Sequence, residues 1–547
     1  MPVRPLTREQ AFLLPPRLDD LLPADHSVRF VAAFVEQIEA KGWSELGILG
    51  QGADLGAPAY HPRLMLGVWL YGFMSGIRSS RKLETACQEQ VPFLWLTALQ
   101  TPDHNTLWRF YQAHRGRMRR LLRRTVLTAV AAGLLDLALQ AVDGSKIAGN
   151  AAKDRTYSRA GLERLLKKTE AAINDLEAQN RSAGETASPR LPQKLRQKQA
   201  LAEQVKQALQ RVEADEDRIN LTDTDAVLLK GRNGILAGYN GQAVVSPLTE
   251  TAGIGGQLIT AAAVTQDTND QAQLLPMLEA AAANTGEQAA ITLADAGYSS
   301  GENLSALEQL GQSVLMPEAG AKALASPYHK DAFVYDQDSD TYSCPMGQTL
   351  HYRTNKRDRK GRPVRLYRPR AAACRACPAF GMCTRDRRHG RALEVGPDDA
   401  ALRRQRALMA SQSAKATYSR RKELIEPTFG IIKEQQGVRR LLLRGLSNAD
   451  AEWSLLAVAF NLRTLARVWQ NRLNALLGLI WLVFLRLSGP RRRLQAAKWP
   501  IPTQEPPRRY GSTTHVTSGS IRLERQAQLC APTALRARRS HCSSPTR

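Results

Sequence analysis

The chain has 547 residues, with 76 Lys plus Arg against 51 Asp plus Glu and a formal net charge of +25. Hydrophobic residues at 43% and charged residues at 23% exclude wholesale disorder, and at roughly 150 residues per domain the length suggests three or four structural units. The basic excess points to a polyanion partner, nucleic acid being the commonest, with a solvated basic surface as the alternative. Residues 1–10 lack the apolar run of a secretory signal. The longest apolar run, 475–485, is too short for a bilayer, is broken by Gly478 and reads as a buried helix, so no membrane association is expected. Seven cysteines, an odd number in a long chain, argue against a disulfide scaffold and for a reducing, cytoplasmic location.

Residues 1–130 read as helical. Pro62 opens a strongly apolar helix carrying Leu64, Leu66, Val68, Leu70 and Phe73, with Pro in the first turn, where a missing N–H costs nothing. A second helix covers 81–90. Asp103 is then placed to cap a third, which carries Leu107, Phe110 and Tyr111 and runs into Arg109, Arg115, Arg117, Arg119, Arg120, Arg123 and Arg124. Short helices ending in a densely basic one fit a helix-turn-helix-like DNA-binding unit. The alternative is a helical bundle with a solvated basic face.

The apolar run 137–143 ends on Asp143 and reads as a buried strand. In 156–217, Leu162, Leu166, Thr169, Ile173 and Leu176 step in a heptad rhythm, approximately repeated by Leu195, Ala202, Val205, Leu209 and Val212. This predicts a helical hairpin with its turn within 181–192. Strands are expected at 241–247 and 257–264, a helix at 271–283, a strand at 289–294 ending at Asp295, a helix at 299–310 and a strand at 312–316. Strands alternating with helices after an initial hairpin predict a mixed α/β sheet. Residues 318–400 form a Cys-containing insert with little helical period, and helices resume near Ser413 and run to Leu487. The segment 488–547 holds twelve Arg or Lys against two Glu and, lacking any apolar period, reads as a disordered basic tail.

Two constellations carry chemistry. Asp143 and Asp295 end strands, where α/β sheets bind ligands, and Glu426 lies on a basic helix. Carboxylates gathered there are the hard oxygen ligands that Mg²⁺ prefers, and two such ions activate and stabilise the oxygens of a phosphodiester. The second constellation is Cys344, Cys374, Cys377 and Cys383, spaced Cys-x29-Cys-x2-Cys-x5-Cys. The close pair is half of a zinc site, with His389 as an alternative ligand, and structural zinc, reduced thiols and a redox role are the three readings.

At these residues the sequence resembles bacterial insertion-sequence transposases of the DDE type. The resemblance spans about 1–487 and rests on Pro102-Asp103-His104-Asn105, Val142-Asp143-Gly144-Ser145-Lys146, Gly238-Tyr239-Asn240, Val264 to Gln271, Leu293-Ala294-Asp295-Ala296-Gly297-Tyr298, and Gly437-Val438-Arg439-Arg440 followed by Arg444-Gly445-Leu446. It implies an RNase H-like mixed-sheet catalytic core, interrupted by the helical hairpin and the Cys-rich insert, behind an all-α N-terminal DNA-binding region. It implies that Asp143, Asp295 and Glu426 bind two Mg²⁺ ions, with Mn²⁺ as a substitute, for cleavage and strand transfer. Arg109, Lys146, Arg421, Lys422, Lys433, Arg439, Arg440 and Arg444 would contact double-stranded DNA, both element ends and target, in a homodimer or higher oligomer. The family spacing of Tyr, Arg, Glu and Lys is two, three and six. Tyr418 and Arg421 keep the first interval and Glu426 and Lys433 the last, whereas four residues separate Arg421 from Glu426. A DNA-binding protein of this fold that has lost catalysis and a nuclease that cuts without joining are the competing readings.

Overall fold

In the computed structural model, which describes residues 17–48, 58–182, 190–213, 217–231, 234–318, 326–358 and 361–487, the chain opens on seven helices. They are α1 (Ser27–Glu36), α2 (Ala40–Glu45), α3 (Pro62–Met74), α4 (Ser80–Glu89), α5 (Val91–Leu96), α6 (His104–Met118) and α7 (Arg120–Ala131). Pro62 stands in the first turn of α3, and the Asp103 carboxylate accepts from the backbone N–H groups of Asn105 and Thr106 at the head of α6. Every residue from Leu64 to Phe73 is buried. Such an all-round apolar helix has to lie inside a bundle.

A mixed sheet follows. Strand β1 (Leu139–Ala148) leads through β2 (Thr156–Ser158), the helices α8 (Arg159–Ser182) and α9 (Arg190–Arg211), β3 (Arg218–Asn220) and β4 (Val227–Gly231) to the long β5 (Gly234–Pro247) and β6 (Gln257–Thr265). Then come α10 (Leu274–Thr285), β7 (Ile291–Ala294), α11 (Gly301–Gln309) and β8 (Ser313–Leu315). β5 lies antiparallel between β1 on one side and β6, with β4 further along, on the other; β7 joins β1 in parallel and β8 joins β7 in parallel. The helical hairpin expected between strands is present, with Leu162, Val205, Ala208 and Val212 buried along its seam. Arg190 to Pro192, expected in its turn, already belong to α9.

Beyond β8 the structure departs from expectation. The insert is an antiparallel sheet of β9 (Val334–Asp336), β10 (Thr341–Ser343), β11 (Thr349–Arg357), β12 (Pro363–Arg368) and β13 (Leu393–Val395), with the short α12 (Ala371–Arg375) between the last two. Its strands are short and mostly exposed, so they carry little of the alternation that marks a half-buried strand. Helices resume earlier than expected, with α13 (Asp399–Ala410), followed by α14 (Gln412–Gly430) and the long α15 (Leu446–Leu487).

The N-terminal helices do not form a core of their own. One hydrophobic cluster runs from Val28 of α1 through Trp69 and Tyr111 to Ala141, Ala243, Trp453 and Phe460. The first half of α15 is its axis: the Trp453 indole donates to the Gln242 carbonyl at 2.9 Å, and Asn461 exchanges two hydrogen bonds with the Ile259 backbone. Farther along α15, Leu476 and Leu477 of the expected buried run are half exposed, at 54% and 50%. No described helix is long and apolar enough to cross a membrane. The expected tail, 488–547, lies outside the described residues.

Candidate active site

Strand register builds the site. β1 pairs with β7 in parallel as far as Val142 opposite Ala294, so the next residue on each strand, Asp143 and Asp295, emerges at the same edge. β1 does not end there, as its sequence suggested. It continues to Ala148 against β5 alone, with Lys146 opposite Asn240. The acids therefore stand where parallel pairing stops and the sheet opens, the place where α/β sheets bind ligands.

A guanidinium meets the acid pair. Arg421 of α14 places Nη2 2.9 Å from Asp143 Oδ2 and 4.0 Å from Asp295 Oδ2. Burial raises the Asp143 carboxyl to about 6 against the pull of Arg421, and the Asp295 and Asp270 charges push the same way as burial. Tyr418, one turn earlier on α14, feels the same charges, and burial raises its phenol.

A polar network lies behind the pair; sequence reasoning had Asn240, Asp270 and Tyr298 within its motif segments but gave them no role, and it did not single out Gln242. The Tyr298 hydroxyl donates to Gln242 Oε1; the Gln242 amide donates to Asp270 Oδ1 at 2.7 Å, and the Asn240 amide donates to the same oxygen at 2.6 Å. Lys146 Nζ lies 3.8 Å from Asp270 Oδ1 and donates to the Thr268 carbonyl at 3.1 Å. Asn240, Gln242 and Tyr298 are wholly buried. The signal available was the period of two in β5, which puts two amides on the same face of a strand otherwise made of small and apolar residues.

The third expected acid does not join the pair. At about 100° per residue, Glu426 lies about 140° round α14 from Arg421, and the residue on Arg421's face is the buried Ile425. Glu426 is exposed. The four-residue gap between Arg421 and Glu426 is the reason, since a gap of three would have kept the two on one face. Among the described residues no three His, Cys, Asp or Glu side chains form a ready metal-ligand set, so the expected three-carboxylate arrangement of Asp143, Asp295 and Glu426 is not the one found.

The expected DNA contacts divide in two. Lys146 and Arg421 line the site, and Lys433 reaches it by donating to Ser145 Oγ at 2.6 Å. A π-helical segment, Ile431–Gln435, carries Lys433. Its extra residue turns the helix back by about 100°, which aims Lys433 at β1. Arg109, Lys422, Arg439, Arg440 and Arg444 are exposed. Other arginines expected on a free basic face hold helices together: Arg115 donates to Asn448, Arg120 to the Glu45 carbonyl and Arg124 to the Gln37 carbonyl.

Residues 16–113 match the family model described as Transposase domain (DUF772), and residues 343–466 match that described as Transposase DDE domain. No curated protein matches the chain. The first match covers the helical start through most of α6, and the second runs from the Cys-bearing insert through α14, with Arg421 and Lys433, into the buried half of α15. With acids paired at a sheet edge and a basic helix laid across them, the chain is similar to insertion-sequence transposases of the DDE type over these two matched segments.

Proposed function

We propose that the chain cuts and joins DNA at the ends of its own element, with an RNase H-like core and divalent metal held by Asp143 and Asp295. The observation that carries this reading is the occupation of the acid pair by a cation, the Arg421 guanidinium. Two carboxylates, one of them buried, are costly without positive charge between them, so the donor set suits Mg²⁺, or Mn²⁺ in its place. Bound there, the ions would activate the attacking oxygen and stabilise the leaving oxygen of a phosphodiester. The strand order β6-β5-β1-β7-β8, three antiparallel strands followed by two parallel ones, supports the RNase H-like assignment.

In this reading the chain's own groups bind and orient. Lys146 and Lys433 flank the acids and take backbone phosphates, which fixes register without reading sequence. Arg421, displaced from the acids by metal, is free to pair with a phosphate, for which its planar fork is well suited. The amides of Asn240 and Gln242 hold Asp270 beside the pair. Glu426, the third acid that the resemblance implies, stands exposed on α14, and Asp270, held beside the pair, is the other candidate for that role.

The test is Mg²⁺-dependent cleavage and joining of DNA carrying the repeats that flank the gene. Asp143→Asn and Asp295→Asn should abolish both steps with DNA affinity within a few-fold. Glu426→Gln and Asp270→Asn identify the third acid: loss in the first supports Glu426, and loss in the second alone assigns the role to Asp270. Cleavage without joining would indicate a nuclease, and binding without cleavage an inactive descendant.

A further inference from the structure

The cysteine motif has no part in the acid-pair chemistry, and the structure brings its four members together. Cys344 follows β10, Cys374 lies in α12, and Cys377 and Cys383 lie in the turns after it. All four line one cavity of about 20 Å³, a volume that holds one water-sized occupant. All four are unpaired thiols. His389, the alternative ligand, faces Asp386 instead, with Nδ1 3.3 Å from its carboxylate.

The backbone is arranged to support charge on sulfur. The Gln348 N–H donates to Cys344 Sγ at 3.2 Å, and the Arg391 N–H donates to Cys374 Sγ at 3.4 Å. The first closes a tight turn in which Gly347, at φ +76°, donates to the Cys344 carbonyl at 2.8 Å. The positive φ is why glycine occupies that position.

The insert also needs a fastening. The hydrophobic cluster of its five strands is small, with Phe333, Tyr342, Leu350, Tyr367 and Leu393 as its buried members among the described residues. A core that small is ordinarily supplemented by a disulfide or a metal.

We propose that Cys344, Cys374, Cys377 and Cys383 bind one zinc ion as four thiolates, tying the β10–β11 turn to the segment after α12. Binding replaces the four S–H protons, which pass to solvent, and leaves a centre of net charge −2. Arg370, Arg375, Arg385, Arg387, Arg388 and Arg391 supply compensating charge along the same stretch. The thiols surround the cavity without forming a ready ligand set, and metal binding, being coupled to deprotonation, draws them in. The role is structural, because four protein ligands leave no open position for chemistry.

The experiment uses the full chain, expressed with zinc in the medium and purified without chelator. Elemental analysis should give about one zinc per chain, and X-ray absorption at the zinc edge should show four sulfurs at about 2.3 Å. Cobalt substituted for zinc should show the intense visible bands of a tetrahedral thiolate site. Cys377→Ser should lower the zinc content of the purified protein at least ten-fold, and Cys87→Ser should leave it unchanged. If Cys377→Ser does not fold, titrating the intact protein with a mercurial decides: one zinc should be released as four thiols react. No zinc together with four freely titrating thiols, a disulfide between Cys374 and Cys377, or fewer than three sulfurs round the metal would each overturn the proposal.

Discussion

Arg78, in the turn before α4, reaches Glu452 in the first turns of α15, with Nη1 2.7 Å from Oε1 and side chains only 8% and 2% exposed. The pair spans 374 residues of sequence and joins the helical start to the helix that backs the sheet. The other Glu452 oxygen accepts from the backbone N–H groups of Leu442 and Leu443, which fixes the loop between the π segment and α15.

Breaking this pair from one side should be costly. Glu452→Ala leaves a buried guanidinium and two unpaired N–H groups, and a loss of about 3–5 kcal/mol is expected. The double change Arg78→Met with Glu452→Leu should lose distinctly less than the sum of the single changes. Urea unfolding midpoints of the four proteins in a double-mutant cycle measure the difference, and simple additivity would show that the ions do not act as a pair.

Asp143 should make the metal-free protein less stable as pH rises. Its folded pKa of about 6 stands above the usual 3.8, so between those values the folded state holds more protons than the unfolded one. Stability associated with this group is therefore highest below pH 4 and falls as pH rises to 6. Asp143→Asn should remove that dependence and raise stability above pH 6, by roughly 2–3 kcal/mol for a shift of about two units. Melting temperatures of both proteins in EDTA across pH 4 to 8 test this; parallel curves would sink it. Adding Mg²⁺ should raise the melting temperature of the wild type and have little effect on the variant.

DNA affinity should fall steeply with salt, with a slope of about 0.9 per phosphate neutralised. Lys433→Ala and Lys146→Ala should each reduce the slope by about one, while an Arg120 substitution should act on stability instead, because its guanidinium is engaged with the Glu45 carbonyl. Equal salt slopes for all three variants would disprove this division.

Trp453→Ala should cost about 3–5 kcal/mol through the cavity it leaves. The indole is 1% exposed and lies against Gly241, where an added Cβ would come within 3.1 Å of the ring. Because the ring supports β5 directly behind Asn240 and Gln242, the variant should also lose cleavage activity in proportion to its unfolded fraction. A folded but inactive variant would show that the indole positions the site in a further way.

Elements with a strong local signal were legible in the sequence. The apolar α3, the cap at Asp103, the heptad seam of the hairpin and the apolar strand runs leading into the two aspartates are short-range patterns, and each is found in place, although β1 continues past Asp143 to Ala148. The insert strands were not legible, because a thin exposed sheet with a minimal core leaves almost no hydrophobic period. The N-terminal helices looked like a separate unit because sequence gives no sign that Trp69 and Trp453 share one core. Within the site, Asp143 and Asp295 follow from the apolar strand runs that precede them, whereas Asp270 depends on β5 and a following loop meeting in space. Glu426 shows the limit from the other side: the residue matches the family pattern, but its angle on the helix follows from the local spacing.

The hairpin α8–α9 also bears on how the protein assembles. β1 and β5 form the central antiparallel pair, yet residues 149–233 lie between Ala148 and Gly234. Closing so long a loop costs entropy that rises with the logarithm of its length, and sheets built on distant pairings fold slowly for that reason. The two helices of the hairpin contact each other locally and form on a much shorter timescale. Once formed, they draw the ends of the intervening segment together, since β2 and β3 pair at their base. The hairpin thus acts as a clasp that lets β5 find β1 while both are still being ordered, and unzipping its seam should slow refolding far more than it speeds unfolding.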